Sequence, residues 1–236
     1  MAKEEKEIKI ELNIPFSEFI ERITNSGFEK EKEISQRDNY FDTSDWKLYK
    51  SVASLRVRQV NNVDHSLTFK KVFHLPERTS NKFYVEEIEG KLPLTDKFGL
   101  ESIAERLGMD ISGDPVNGMD LSELFRMNGF QDEQVLNKVR SIYKDKNNDE
   151  IVIDNVDNVG MVIEIECCEG NPIDLAKKLL SGNEWKRSTQ GTSYIWLENI
   201  KGFNDHLGYD KRWTDTPDWN VWENEKDMYG RLLSDG

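Results

Sequence analysis

Charged and apolar positions alternate with a period of two in one short stretch of this chain after another, which predicts strands with one apolar and one charged face. In Glu5-Lys6-Glu7-Ile8-Lys9 the side chains of Glu5, Glu7 and Lys9 share one face, and Lys6, Ile8 and Ile10 share the other. At 55–58, Leu55 and Val57 alternate with Arg56 and Arg58. After a turn at Asn61-Asn62, Thr68 and Lys70 stand opposite Leu67 and Phe69, so the pair reads as a hairpin with a basic face. Residues 85–89 align Glu87 and Glu89, residues 135–143 put Lys138 and Arg140 on one side, and 151–154 alternate again, Asp154 included, before a turn at Asp157-Asn158. In 161–166, Glu164 and Glu166 oppose Met161, Ile163 and Ile165; residues 39–43 read as a further strand with Tyr40 and Asp42 on one face, and 30–38 are polar without a period.

Helical spacing separates these stretches. Phe16, Phe19, Ile20 and Ile23 form one face of a helix over 16–28, opposed by Glu18, Glu21 and Arg22 and stopped by Gly27. Residues 98–109 and 119–130 read as two short amphipathic helices around Gly113-Asp114-Pro115. Another helix runs from Pro172 through Leu180 with Asn171 as its cap. Residues 193–197 close the ordered pattern as a strand or a helix start.

With 236 residues, 36% hydrophobic and 33% charged, the chain suits a soluble globular protein of one large domain, or one domain and an appendage. The pattern holds no apolar run of membrane-spanning length and no signal-peptide start, so a cytoplasmic protein is expected. A formal net charge of −13 argues against nonspecific affinity for nucleic acid or an anionic membrane, yet leaves room for a small basic cavity. Cys167 and Cys168 are adjacent, which speaks against a disulfide framework or a thiolate metal site and for reduced thiols. His65 in the hairpin turn, His74 and His206 lack ligand spacing and read as surface or packing residues. Residues 201–236 carry Trp213, Trp219, Trp222, Tyr209 and Tyr229, an aromatic arm that packs on the exterior or closes over a binding site as a lid.

The charged faces have two readings. They can lie outside as solvated surface, or they can line the lumen of a closed barrel whose apolar outside is covered by helices. In such a lumen Lys9, Arg56, Arg58, Lys70, Lys138 and Arg140 meet Glu5, Glu7, Glu87, Glu89, Glu164 and Glu166. Neighbouring carboxylates repel unless a cation sits between them, and oxygen-rich sites favour Mg²⁺ or Mn²⁺. Arginine forks and lysine ammoniums suit phosphate oxygens. A site holding both suits a metal-bound polyphosphate.

These motifs, in this order, resemble those of the CYTH superfamily, the triphosphate tunnel metalloenzymes, over about residues 3 to 200. An ExExK motif falls on Glu5, Glu7 and Lys9, an LRxR on Leu55 to Arg58, an LTxK on Leu67 to Lys70, and a late ExE on Glu164 and Glu166. The resemblance implies an α+β fold, an eight-stranded antiparallel tunnel with helices packed outside, formed by residues 1–200 with 201–236 as arm or lid. It also implies a small-molecule triphosphate held with Mg²⁺ or Mn²⁺. Arg56, Arg58, Lys70, Lys138 and Arg140 would contact phosphate; Glu5, Glu7, Glu164 and Glu166 would hold metal, with Glu87, Glu89 and Asp154 as further candidates. Lys9 would contact phosphate or help polarise the nucleophile, with Glu5 and Glu7 beside it in the catalytic set. One motif departs: where the family often has RxExE, this chain has Val85-Glu86-Glu87-Ile88-Glu89, so an arginine is missing while both glutamates remain. Hydrolysis of a triphosphate is the first expectation, a class IV adenylyl cyclase the second, and a non-catalytic polyphosphate-binding module the third.

Overall fold

A computed structural model describes residues 3–4, 7–46, 48, 53–74, 83–92, 94, 98–107, 110–113 and 120–188. The strands are β1 (Lys3–Glu4), β2 (Glu7–Leu12), β3 (Glu29–Thr43), β4 (Ala53–Val60), β5 (Val63–His74), β6 (Phe83–Lys91), β7 (Phe130–Lys144), β8 (Glu150–Val156), β9 (Gly160–Glu166) and β10 (Trp185–Ser188). The helices are α1 (Phe16–Asn25), α2 (Phe98–Leu107), α3 (Leu121–Met127) and α4 (Pro172–Leu179).

All the described strands join one antiparallel sheet in the order β1-β6-β5-β4-β3-β7-β8-β9-β2-β10. The expected closed, eight-stranded barrel needs correction on two points. β2 to β9 supply eight strands, but β10 adds an edge beside β2, with Trp185 opposite Leu12. The hydrogen-bonded order is also open, since only the two residues of β1 reach β6, at Lys3↔Val85 and Glu4↔Tyr84. The open ends are nevertheless close. Glu4 pairs with β6 and Glu7 with β9, and three residue steps of extended chain span at most about 10 Å. The sheet is therefore strongly curled.

Its two faces segregate as the alternation predicts. On the outer face, Ile8, Ile10, Ile151, Ile153, Ile163 and Ile165 pack with Phe19 and Ile23 of α1 and Ala176 and Leu179 of α4. A second outer cluster joins Phe41, Leu55, Val57, Leu67 and Phe69 to Leu100 and Ile103 of α2 and Leu124 and Phe125 of α3. The inner face buries Asp38, Ser66, Thr68, Lys138 and Asp154. Charged side chains are almost never buried unless paired, so this face needs internal partners.

Several bounds differ from the sequence pattern, each for a local reason. The polar 30–38 stretch is part of β3, because β3 is paired on both edges: with β7 from Glu29↔Lys144 to Thr43↔Phe130, and with β4. Backbone pairing carries that strand where side-chain periodicity gives no signal. The 119–130 helix is only α3, capped by the Asp120 carboxylate accepting from the Glu123 amide at 2.9 Å and ended at Gly129 with φ +86°. Helix 16–28 likewise ends at Asn25, ahead of Gly27 at φ +92°. Asn61 and Asn62 both take positive φ and make the two-residue hairpin turn between Val60 and Val63. His65 therefore lies on β5, not in the turn. Cys167 is buried and Cys168 exposed, both as thiols. The expected 193–197 element, the 201–236 arm and His206 lie outside the described residues.

Candidate functional site

β2 and β9 bring the first expected residues together. Glu7 lies opposite Glu166, and Lys9 opposite Glu164. The Lys9 ammonium donates to Glu7 Oε1 at 2.9 Å and stands 3.1 Å from Glu164 Oε1, bridging the two carboxylates. Glu164 Oε2 also accepts from Arg140 Nη2 at 3.3 Å. Arg140 donates through Nε and Nη2 to both oxygens of Asp154 at 2.7 Å each, and Lys138 Nζ donates to Asp154 Oδ2 at 2.7 Å. Asp154 thus grips two cations on neighbouring β7, a positioning role distinct from the metal-ligand role considered for it.

The opposite wall is built on β3 and β4. Arg58 makes a two-pronged bond to Asp38, Nε to Oδ1 and Nη2 to Oδ2, each 2.6 Å. Arg56 Nη1 is 3.8 Å from Asp38 Oδ2, and Arg56 Nε is buried without a hydrogen-bond partner. Thr68 Oγ1 donates to Glu89 Oε2 at 3.4 Å. Lys70 stands opposite Glu87 in the β5–β6 register, and both Glu87 and Glu89 are exposed.

Electrostatics tie the walls into one network. Burial works against the charge of Glu164, yet Lys9, Arg140 and Lys138 hold its carboxyl well below the usual range. Asp38 follows the same logic: burial raises it, but the Arg58 bond and the charges of Arg56, Arg58 and Lys138 depress it overall. Lys138 goes the other way, its ammonium lowered by burial and by Arg140 and Arg58 despite Asp154 and Asp38. Arg56 and Arg140 are raised above the ordinary guanidinium value despite burial, Arg56 chiefly by Tyr40 and Asp38, Arg140 by Asp154 and Glu164.

Of the expected site residues, Lys9, Glu7, Glu164, Lys138, Arg140 and Asp154 join one linked cluster, and Arg56 and Arg58 meet at Asp38. Glu166 and Glu7 oppose one another across β2 and β9. Glu5 lies outside the described residues. Among the described residues, no three His, Cys, Asp or Glu side chains gather closely enough to cage an ion. The sequence pattern does not mark Asp38, Gln36 and Tyr40 as site residues. Their even-numbered alternation in a stretch polar on both faces was the available signal, and without β7 opposite it gives no inward direction.

The CYTH domain family matches residues 3–188, most of the chain. This chain belongs to the CYTH family. No curated protein matches it. Among solved structures, the CYTH domain is similar to a Pyrococcus horikoshii OT3 protein at 20% identity and TM-score 0.52, covering 81% of this chain and 98% of that one. It is also similar to a candidate adenylyl cyclase from Hippeastrum, described as revealing a dominant triphosphatase activity, at 20% identity and TM-score 0.53, covering 82% and 95%. A candidate adenylate cyclase from Vibrio parahaemolyticus aligns at 16% identity and TM-score 0.50, covering 83% and 98%. At these identities the likeness concerns the fold. No described helix of this CYTH domain is long and apolar enough to cross a membrane.

Proposed function

We propose that this CYTH protein hydrolyses a small triphosphate held on the inner face of its curled sheet, with a divalent cation. The observation that carries the reading is Arg56, a guanidinium fixed beside Asp38 whose Nε–H is buried with no acceptor. A buried donor left without a partner costs on the order of 1–3 kcal/mol, which an arriving oxygen acceptor relieves. A triphosphate carries about four negative charges near neutral pH, spread over many such oxygens. Arg58 and Arg140 are held in fixed orientations by Asp38 and Asp154, so they need little reorganisation to meet it.

The carboxylates fit a hard cation. The position between Glu7 and Glu164 already holds a positive charge, the Lys9 ammonium. Mg²⁺ is usually bound through one or two carboxylates plus substrate phosphates, and Glu7 and Glu164, both within reach of the Lys9 ammonium, supply such a pair. Glu7 and Glu164 would hold the ion, with Glu166 opposite Glu7, Glu5 beyond the described residues, and Glu87 and Glu89 as further oxygen donors. Bound there, it supplies Lewis-acid neutralisation of phosphate charge. Lys9, released from its two carboxylates, turns its ammonium to a phosphate oxygen. Lys138, Arg140, Arg56, Arg58 and Lys70 bind and orient the chain of phosphates, and water attacks the terminal phosphorus in line.

Hydrolysis is the first reading and cyclisation the second, and both would draw on the same phosphate-binding cations. The dominant triphosphatase activity described for the Hippeastrum protein of the same fold agrees with that preference. The test is incubation with tripolyphosphate and with ATP under Mg²⁺ and Mn²⁺, following orthophosphate and cyclic AMP. Orthophosphate release is expected. Cyclic AMP as the main product would establish the cyclase instead, and chelator-insensitive binding without turnover would establish a binding module. Residues 201–236 are proposed as an arm on the exterior of the domain; their removal is expected to leave the preference between tripolyphosphate and ATP unchanged.

A further inference from the structure

Gln36 sits in the middle of the inner face of β3, directly opposite Lys138 on β7 and two residues from Asp38. Its side chain is buried, with 5% of the residue exposed. Its Oε1 is covered and has no hydrogen-bond partner among the described residues. The ion pairs on either side are complete: Lys138 is bonded to Asp154, and Arg58 to Asp38. No described donor on this face bonds Gln36 Oε1, so an acceptor is left over among the cations. Phosphate oxygens cannot satisfy it, because they too are acceptors at neutral pH. A water O–H can.

We propose that Gln36 Oε1 accepts a hydrogen bond from the water that attacks the terminal phosphate, and so sets its direction of attack. This rests on the hydrolytic reading above. An amide is no base here, so Gln36 orients the water and takes no proton. The water oxygen forms the new P–O bond with its lone pair, the bridging P–O bond breaks with its pair going to the leaving diphosphate oxygen, and the water's protons pass to phosphate oxygens and solvent. The phosphate-binding cations are unaltered, so Gln36 bears on kcat and hardly on binding.

The test compares Gln36→Leu, which keeps the size and removes the acceptor, with Gln36→Glu, which keeps acceptor oxygens. Orthophosphate release from tripolyphosphate is measured with Mg²⁺, alongside affinity for a non-hydrolysable imidotriphosphate. Gln36→Leu is expected to lower kcat roughly 10–100-fold with KM and imidotriphosphate affinity within about twofold. Gln36→Glu is expected to keep kcat closer to that of the unaltered protein, with a higher KM from its added negative charge. Thermal melting confirms folding, and Gln36→Met replaces Gln36→Leu if the latter does not fold. An unchanged kcat in Gln36→Leu overturns the proposal alone. A Gln36→Glu kcat as low as that of Gln36→Leu also overturns it, since the amide N–H would then be the working group. Absence of turnover by the unaltered protein overturns it together with the hydrolytic reading.

Discussion

Lys9 Nζ lies 3.1 Å from Glu164 Oε1 across the β2–β9 ladder, and the same ammonium bonds Glu7 Oε1 at 2.9 Å. The lysine occupies the position between two acids where a metal cation would neutralise both. Replacing it separates the two charges' roles. In Lys9→Met, Glu7 and Glu164 lose their internal cation, so Mn²⁺ binding without substrate is expected to tighten roughly tenfold, while turnover of tripolyphosphate falls roughly 10–100-fold. Titration calorimetry and phosphate release measure the two effects; a joint loss would contradict the exchange.

Asp38 is 1% exposed and bonded by both arms of the Arg58 fork. Breaking a buried pair by neutralising one partner leaves an uncompensated charge, so Asp38→Asn is expected to cost on the order of 3 kcal/mol. Arg126→Ala is the control, since Arg126 pairs with Asp132 at the surface and is 55% exposed. Denaturant titration is expected to show a large loss for the first and none measurable for the second.

Acid sensitivity follows from the depressed carboxyls. Asp38 and Glu164 lie below 3.8 and 4.5, their ordinary values. The unfolded chain binds protons at these groups first, so their stabilisation is complete above about pH 4.5 and is lost as pH falls through the folded values. Lys138, lowered from 10.5, is also protonated more readily in the unfolded chain, so its contribution to stability increases as pH rises toward that value. Denaturation midpoints from pH 7 down to pH 3 are expected to fall steeply only below about 4.5; a decline beginning near pH 6 would point to other groups.

Arg56 supplies a fork whose Nε–H awaits an acceptor. Arg56→Lys keeps the charge and loses that geometry, so KM for tripolyphosphate is expected to rise roughly tenfold with a smaller change in kcat. Steady-state phosphate release checks the split between the two constants.

Phe125 is fully buried on the outer face, with its ring 5.0 Å from Phe41 and 5.7 Å from Phe130. Phe125→Ala is expected to cost about 3–5 kcal/mol of stability. Because Phe125 packs in the cluster on the apolar face of the sheet, KM measured below the new melting midpoint is expected to stay the same.

The chain's own alternation determined which side chains share a face. Lys9 with Glu7, Arg56 with Arg58, Lys138 with Arg140, and Glu164 with Glu166 were paired by a period of two, because neighbouring pleats of one strand point oppositely whatever surrounds them. Helix faces such as Phe19 and Ile23 were legible for the same local reason. Tertiary structure alone decided which strands meet, and therefore that Asp38 holds Arg58, that Asp154 serves two cations, and that Gln36 is buried opposite Lys138. These contacts span long sequence separations, and 30–38 carries no apolar period that would mark a strand before β7 lies beside it. The open order of the sheet was likewise a matter of long-range pairing: periodicity fixes the face of a strand, while its neighbour and the closure of the sheet depend on where distant backbone hydrogen bonds fall.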